Sequence, residues 1–351
     1  MSVRQKKYTV LKVVDKAPSK YNGKWFPSNA DEQKEMFFES GELTTLVTEK
    51  GSALSKTKKK QRVIRREFFF EALRILEKCR DTFGDAINFF NYAYGKCLDS
   101  ETSSQKWMEY LDDCGLTGEI LVYLSPKLVC SSKIVYTSGS NKLDNRKFTL
   151  LINSKNHYLR ERGVGCLADH EIATHYIRAY NDGYQPWFND RKKFGLKTRE
   201  TREWSSTEEG LASLNTTLNA KSKLLWQPAI LYYVACLSET MTFKELFDHL
   251  GRYLSCKDTR WRYVLRVKRL LPDPNAAGGH GGDQVYFEGA ITILKNLDSI
   301  DFNVLYSGKV VLSDLNRVKR LARMNCLRLP RFMKNVAKYK RSLHRIAREI
   351  I

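Results

Sequence analysis

No apolar run in this 351-residue chain approaches the roughly 20 residues that a bilayer-spanning helix needs. The opening Met1-Ser2-Val3-Arg4-Gln5-Lys6-Lys7 leads into no apolar signal core. These absences point to a soluble, non-secreted protein. None of the eight cysteines (Cys79, Cys97, Cys114, Cys130, Cys166, Cys236, Cys256, Cys326) forms a Cys-x-x-Cys pair, which argues against a thiolate metal site. Scattered cysteines without a signal peptide read as free thiols in a reducing compartment. No internal repeat is evident.

What is present is positive charge on an ordinary globular composition. Hydrophobic residues make up 42% and charged residues 28%, and the formal net charge is +21. Such a field favours a polyanionic partner: nucleic acid, an anionic membrane face or an acidic protein surface. The excess is concentrated. Lys56, Lys58, Lys59, Lys60, Arg62, Arg65 and Arg66 form one run. Arg317 to Ile351 holds twelve Lys or Arg against a single acid, Glu349. Leu343, Ile346 and Ile350 recur there at helical spacing, so a basic amphipathic helix is expected.

Residues 1–25 read as a basic extended arm. A helix starts near Ser28 or Asn29, with Asp31 and Glu32 in its first turn. Phe68 to Cys79 has helical periodicity. Glu119–Leu124, Lys133–Thr137 and Lys147–Ile152 read as strands. Leu159–Asn181, Glu208–Leu218, Pro228–Leu250 and Asp283–Leu297 read as helices, and Gly278-Gly279-His280-Gly281-Gly282 as a flexible loop or turn.

The chemistry is concentrated in His170-Glu171-Ile172-Ala173-Thr174-His175. Two histidines four residues apart lie about 40° apart around an α-helix and can share a metal; at five residues the angle grows to about 140°. Ligation by both rings therefore demands a wide π turn between them. Two neutral imidazoles suit Zn²⁺, and Glu171 beside the first is placed to act as general base on an attacking water. A third ligand is expected from Thr207-Glu208-Glu209-Gly210-Leu211-Ala212, read as a helix start, where Glu208 and Glu209 are nearly equal candidates.

The motif has companions in a fixed order: Tyr176-Ile177-Arg178, Asn181, Gln185-Pro186-Trp187, Thr207 to Ala212, Arg266-Val267-Lys268-Arg269 and Asp283 to Gly289. Ser28-Asn29 with Phe37-Phe38 precedes them. As a set, these blocks resemble the microtubule-associated tyrosine carboxypeptidase family and the bacterial proteins named for a Gln-Glu-Gly-Leu-Ala motif. The resemblance implies an α+β, zincin-like metallopeptidase with a small mixed sheet beside the metal-binding helix and a largely helical C-terminal part. It implies one zinc ion on His170, His175 and Glu209, with Glu171 as catalytic base; the bacterial motif selects Glu209 over Glu208. Residues 26–351 would then be one metallopeptidase domain, with strands and motif helix in 26–205 and third-ligand helix and basic helices in 206–351.

The implied activity is hydrolytic removal of the C-terminal tyrosine of α-tubulin, in the cytoplasm and on the microtubule cytoskeleton. The basic surface would face the acidic tubulin tail and the microtubule lattice, with no membrane partner and nucleic acid disfavoured. A terminal carboxylate needs a cation near the metal, for which Arg178, Arg266 and Lys268 are candidates; Tyr286 is a candidate donor to the oxyanion, and His280 a candidate mobile group. Ala173, where family members have Gly, and the glycine-rich Gly278–Gly282 depart from the pattern and bear on substrate choice. The rival readings are a same-fold peptidase with another C-terminal substrate, and a non-enzymatic basic protein that binds microtubules or nucleic acid.

Overall fold

The computed structural model describes residues 11–13 (backbone), 26–47, 63–126, 128, 130–136 and 147–350. The lysine run from Lys56 to Arg62 and most of the basic arm lie outside these residues. Four strands form one sheet: β1 (Leu11–Val13), β2 (Ile120–Ser125), β3 (Ser132–Tyr136) and β4 (Phe148–Asn153), in the order β1-β2-β4-β3. β1 and β4 run parallel to β2 on either side, and β3 closes the edge antiparallel to β4. Alternation explains the sheet's sidedness. Ile120, Val122 and Leu124 of β2 are buried, while Leu121 between them is exposed.

Helices make up most of the rest. Ahead of β2 lie α1 (Ala30–Ser40), α2 (Phe69–Phe83), α3 (Ala86–Tyr94) and α4 (Ser100–Asp113). Asn29 stands at the start of α1, but its side chain is used elsewhere, pinning the returning chain at Thr45 and Val47. α3 and α4 did not register as periodic segments. Their starts are marked by Asp85 and Asp99, whose carboxylates accept from the amides of Ile87 and Thr102.

After β4 come α5 (Gly163–His170), a π turn (Glu171–Tyr176) and α6 (Ile177–Asp182), one continuous rod in place of a uniform helix. α7 (Arg202–Leu218) packs across this rod. It begins six residues earlier than its sequence suggested, because Thr201 caps it by accepting from the amide of Trp204. Thr207, Glu208 and Glu209 therefore lie inside the helix, not at its start. α8 (Trp226–Ser238) and α9 (Phe243–His249) divide what periodicity presented as one helix. The division is a reciprocal cap, in which Thr242 and Glu245 each accept from the other's backbone amide.

α10 (Lys257–Lys268), α11 (Val285–Lys295), α12 (Phe302–Leu305), α13 (Leu315–Leu321) and α14 (Val336–Arg348) complete the wall. Buried apolar side chains from Ala30 to Ile350 form one contiguous cluster. The basic C-terminal helix, α14, is part of it, with Leu343, Ile346 and the following Ile350 buried. The glycine segment leads into a turn, one of the two forms expected of it, and is packed rather than flexible. Gly281–Gln284 form a 3₁₀ turn, and side chains on Gly279 or Gly281 would collide with Ser238 or with the backbone at Val63.

The closest helix contact brings α7 against α11. A Cβ on Gly289 would overlap the Ser206 carbonyl, and one on Gly210 would overlap the Gly289 backbone. This contact sets where Glu209, next to Gly210, sits relative to the rod. Gly289→Ala should therefore cost about 3 kcal/mol through forced separation of the two helices, read as a lowered midpoint in urea unfolding.

Candidate metal centre

The rod carries His170 at the end of α5 and His175 inside the π turn. The wider turn returns the two rings to one side, with centroids 4.9 Å apart and planes at 74°. The π turn that their five-residue spacing demanded is thus present. Glu209 approaches from α7: its Oε2 lies 3.8 Å from His170 Nε2 and 3.5 Å from His175 Nε2. The donor atoms of these three residues all lie within 4.8 Å of one another. A tetrahedral ion bound at about 2.0–2.1 Å from each donor spaces them roughly 3.3–3.4 Å apart, so the trio fits a single metal ion after small adjustment.

The hydrogen bonds behind the rings fix which nitrogen is free. Thr216 spends its only hydroxyl proton on the Ala212 carbonyl, at 2.8 Å. Its oxygen must therefore accept from His170 Nδ1, 3.0 Å away, which leaves the lone pair on Nε2. Glu208 Oε1, an acceptor only, lies 2.7 Å from His175 Nδ1 and imposes the same tautomer there. Both Nε2 atoms face Glu209. Outer partners of this kind orient metal-binding imidazoles and raise their basicity.

Glu208 is buried and braced by cations. Arg178 Nη1 and Lys309 Nζ both donate to it. Burial pushes its carboxyl up, but Lys309, Arg178 and His175 together hold it well below the usual carboxylate range. Burial likewise pulls His175 down, and the carboxylates of Glu209 and Glu208 overcome that pull, lifting the ring to about 10. His170 moves the other way, lowered by burial and by its proximity to His175. The pocket thus favours positive charge at the point where the three donors meet.

Glu171, also buried, turns toward the sheet edge. Ser132 Oγ donates to its Oε1 at 2.6 Å and the amide of Ile134 to its Oε2 at 3.1 Å. These groups open onto a cavity of about 590 Å³ between β3, α7 and the start of α8. Tyr286 and Arg266 line it. Glu209 and burial keep the Tyr286 hydroxyl protonated far above its usual range. Arg266 is held by Asp283 through Nε–Oδ2 and Nη2–Oδ1 contacts of 2.9 and 2.8 Å.

Arg178 and Lys268 do not line this cavity. Arg178 has no exposed side-chain surface, and beyond Glu208 it donates to the carbonyls of Leu305, Gly308 and Val310. Lys268 is equally buried and donates to the carbonyls of Ser238, Met241 and Ala276. Their positive charge in the sequence signals internal bracing. His280 is buried too, away from the cavity lining. Sequence reasoning passed over Ser132, Thr216 and Lys309. Thr216 carried a faint signal, since it stands seven residues after Glu209 and so on the same face of α7.

Comparison with known proteins identifies the chain's family. The family model described as "Microtubule-associated tyrosine carboxypeptidase" matches residues 140–350. The chain belongs to this family. The human protein "Microtubule-associated tyrosine carboxypeptidase 1" is 32% identical over 337 residues, covering 91% of this chain and 66% of that one. Its rat counterpart is also 32% identical, over 327 residues, with the same coverage. The chain thus spans 66% of the length of these curated relatives.

Thr216 offers a test of the site because it meets the His170 ring at Nδ1, away from the point where the three donors meet. Thr216→Val should weaken metal binding by about tenfold, measured by competition with a chromophoric chelator, with little change in the melting temperature of the metal-free chain.

Proposed function

We propose that this chain is a zinc-dependent carboxypeptidase that removes the C-terminal tyrosine of α-tubulin. The observation that carries the reading is the meeting of His170 Nε2, His175 Nε2 and a Glu209 oxygen at one wall of a cavity that also holds Glu171. Two imidazoles and a carboxylate leave a fourth position open on a tetrahedral ion, the hallmark of catalytic over structural zinc sites. Zinc, when bound, supplies Lewis acidity to the scissile carbonyl and acidifies the attacking water. Residues 26–351 act in this reading as one zincin-like metallopeptidase domain, with a sheet edge running beside the metal helix.

Glu171 accepts a proton from the attacking water and returns it to the departing amine. Ser132 and Ile134 orient its carboxylate for this task. Tyr286, kept protonated, donates a hydrogen bond to the oxygen that gains charge. Arg266, pre-oriented by Asp283, meets the terminal carboxylate of the substrate. Arg178 and Lys268 serve instead as internal braces. Among the described residues β3 is an edge strand beside Glu171, along which an extended peptide would lie.

The basic surface supports an acidic partner. On α14, Lys338, Arg341, Arg345 and Arg348 repeat at three- and four-residue intervals along one exposed stripe, and none forms an ion pair among the described residues. The opposite face of that helix is buried, so the stripe is held rigidly outward. Such a surface favours association with the acidic exterior of a microtubule and weakens as salt rises.

The test is a tubulin-tail peptide ending in tyrosine, followed by mass spectrometry. The wild type should release one tyrosine and stop. Glu171→Gln should bind zinc with unchanged stoichiometry and lose activity by about 10²–10⁴-fold. Equal turnover by both proteins would overturn the assignment of Glu171, and no release by zinc-loaded wild type would overturn the substrate.

A further inference from the structure

The π turn is the least regular segment of the rod, and such turns are rare, occurring mostly singly within α-helices and often at functional sites. Thr174, inside the turn and fully buried, donates its hydroxyl to the Asp169 carbonyl five residues back, at 2.8 Å. Its oxygen in turn accepts from Asn215 Nδ2, also at 2.8 Å. Asn215 lies on α7, between the ligand Glu209 and Thr216, the partner of His170.

Asn215 is itself immobilised. It has no exposed surface, its second amide hydrogen goes to the Tyr306 hydroxyl at 2.8 Å, and its Oδ1 accepts from the Tyr339 hydroxyl of α14 at 2.7 Å. All the hydrogen-bonding groups of its side chain face buried partners. The other end of the turn is fixed as well. The Asp169 carboxylate accepts from Tyr110 of α4 and from Asn219 beyond α7, each at 2.7 Å.

We propose that Thr174 and Asn215 are positioning residues that pin the rod in its wide turn and so set the distance between His170 and His175. The hydroxyl holds the Asp169 carbonyl in the five-residue frame, and Asn215 ties that frame to the helix carrying the third ligand. One chain of hydrogen bonds therefore ties the turn that ends in the second imidazole to the helix that carries Glu209. Without the hydroxyl, the rod relaxes toward the ordinary four-residue repeat and the two rings splay, as regular helix geometry requires. The inference rests on the metal-binding reading of the site, not on any substrate.

The test compares Thr174→Val, which keeps the shape and removes the hydroxyl, with Thr174→Ser, which keeps the hydroxyl. Zinc dissociation constants are measured by chelator competition well below the melting temperature. Hydrogen exchange of the amides from Ala173 to Ile177 is measured in the metal-free chains. The valine variant should bind zinc about 10–100-fold more weakly and exchange faster across the turn, and the serine variant should stay within roughly threefold of wild type in affinity. Wild-type affinity in the valine variant would overturn the proposal, as would equal weakening in both variants. If the valine variant does not fold, Asn215→Ser takes its place, with the same expected loss and the same overturning result. Absence of zinc binding by the wild type would instead sink the metal-site reading itself.

Discussion

The five-residue interval between His170 and His175 is the constraint on which the rest depends. A regular helix cannot offer both rings to one ion at that spacing. The chain resolves the conflict by widening one turn, Glu171–Tyr176, and keeping ordinary helix before and after it. Everything packed against the rod then has a definable task. α7 brings Glu209 to the rings, Thr216 and Glu208 hold their outer nitrogens, and the Gly210–Gly289 contact lets α7 sit at its required depth against α11.

Charge is the second organising element. Placing Glu208, Glu209, His170, His175, Arg178 and Lys309 together in one region is costly unless the charges are answered. Here each is. Glu208 is answered by Arg178 and Lys309, and Glu209 faces both imidazoles. At His175 the carboxylates of Glu209 and Glu208 favour positive charge against the pull of burial. A divalent cation bound there, as proposed, would answer the same field. The separate Arg266–Asp283 pair keeps its own charges balanced, leaving Arg266 rigid at the cavity wall.

Much of this was legible in the sequence, for identifiable reasons. The three strands near residues 119–153 alternate or run apolar, and each formed within a residue or two of its expected place. The His-Glu-x-x-x-His spacing demanded a π turn on geometry alone, and the ordered companion blocks pointed to Glu209. Residue-level roles were harder to read. A lone basic residue gives no sign of whether it faces solvent, substrate or a buried carboxylate, so Arg178 and Lys268 carried the same signal as Arg266. Helix boundaries failed where a cap outweighed periodicity, at Thr201 and at Thr242–Glu245. The glycine segment looked flexible because glycine also marks positions where backbones touch, and sequence does not distinguish the two uses.

The account's central claim is that a widened helical turn brings two imidazoles and one carboxylate to a single zinc ion. X-ray absorption at the zinc edge of the stoichiometrically loaded protein tests it most directly. The account predicts one tightly bound ion with a nitrogen and oxygen shell at about 2.0–2.1 Å, the scattering signature of two imidazoles, and the loss of one imidazole in His175→Ala. A sulfur shell near 2.3 Å, or an unchanged spectrum in His175→Ala, would contradict it.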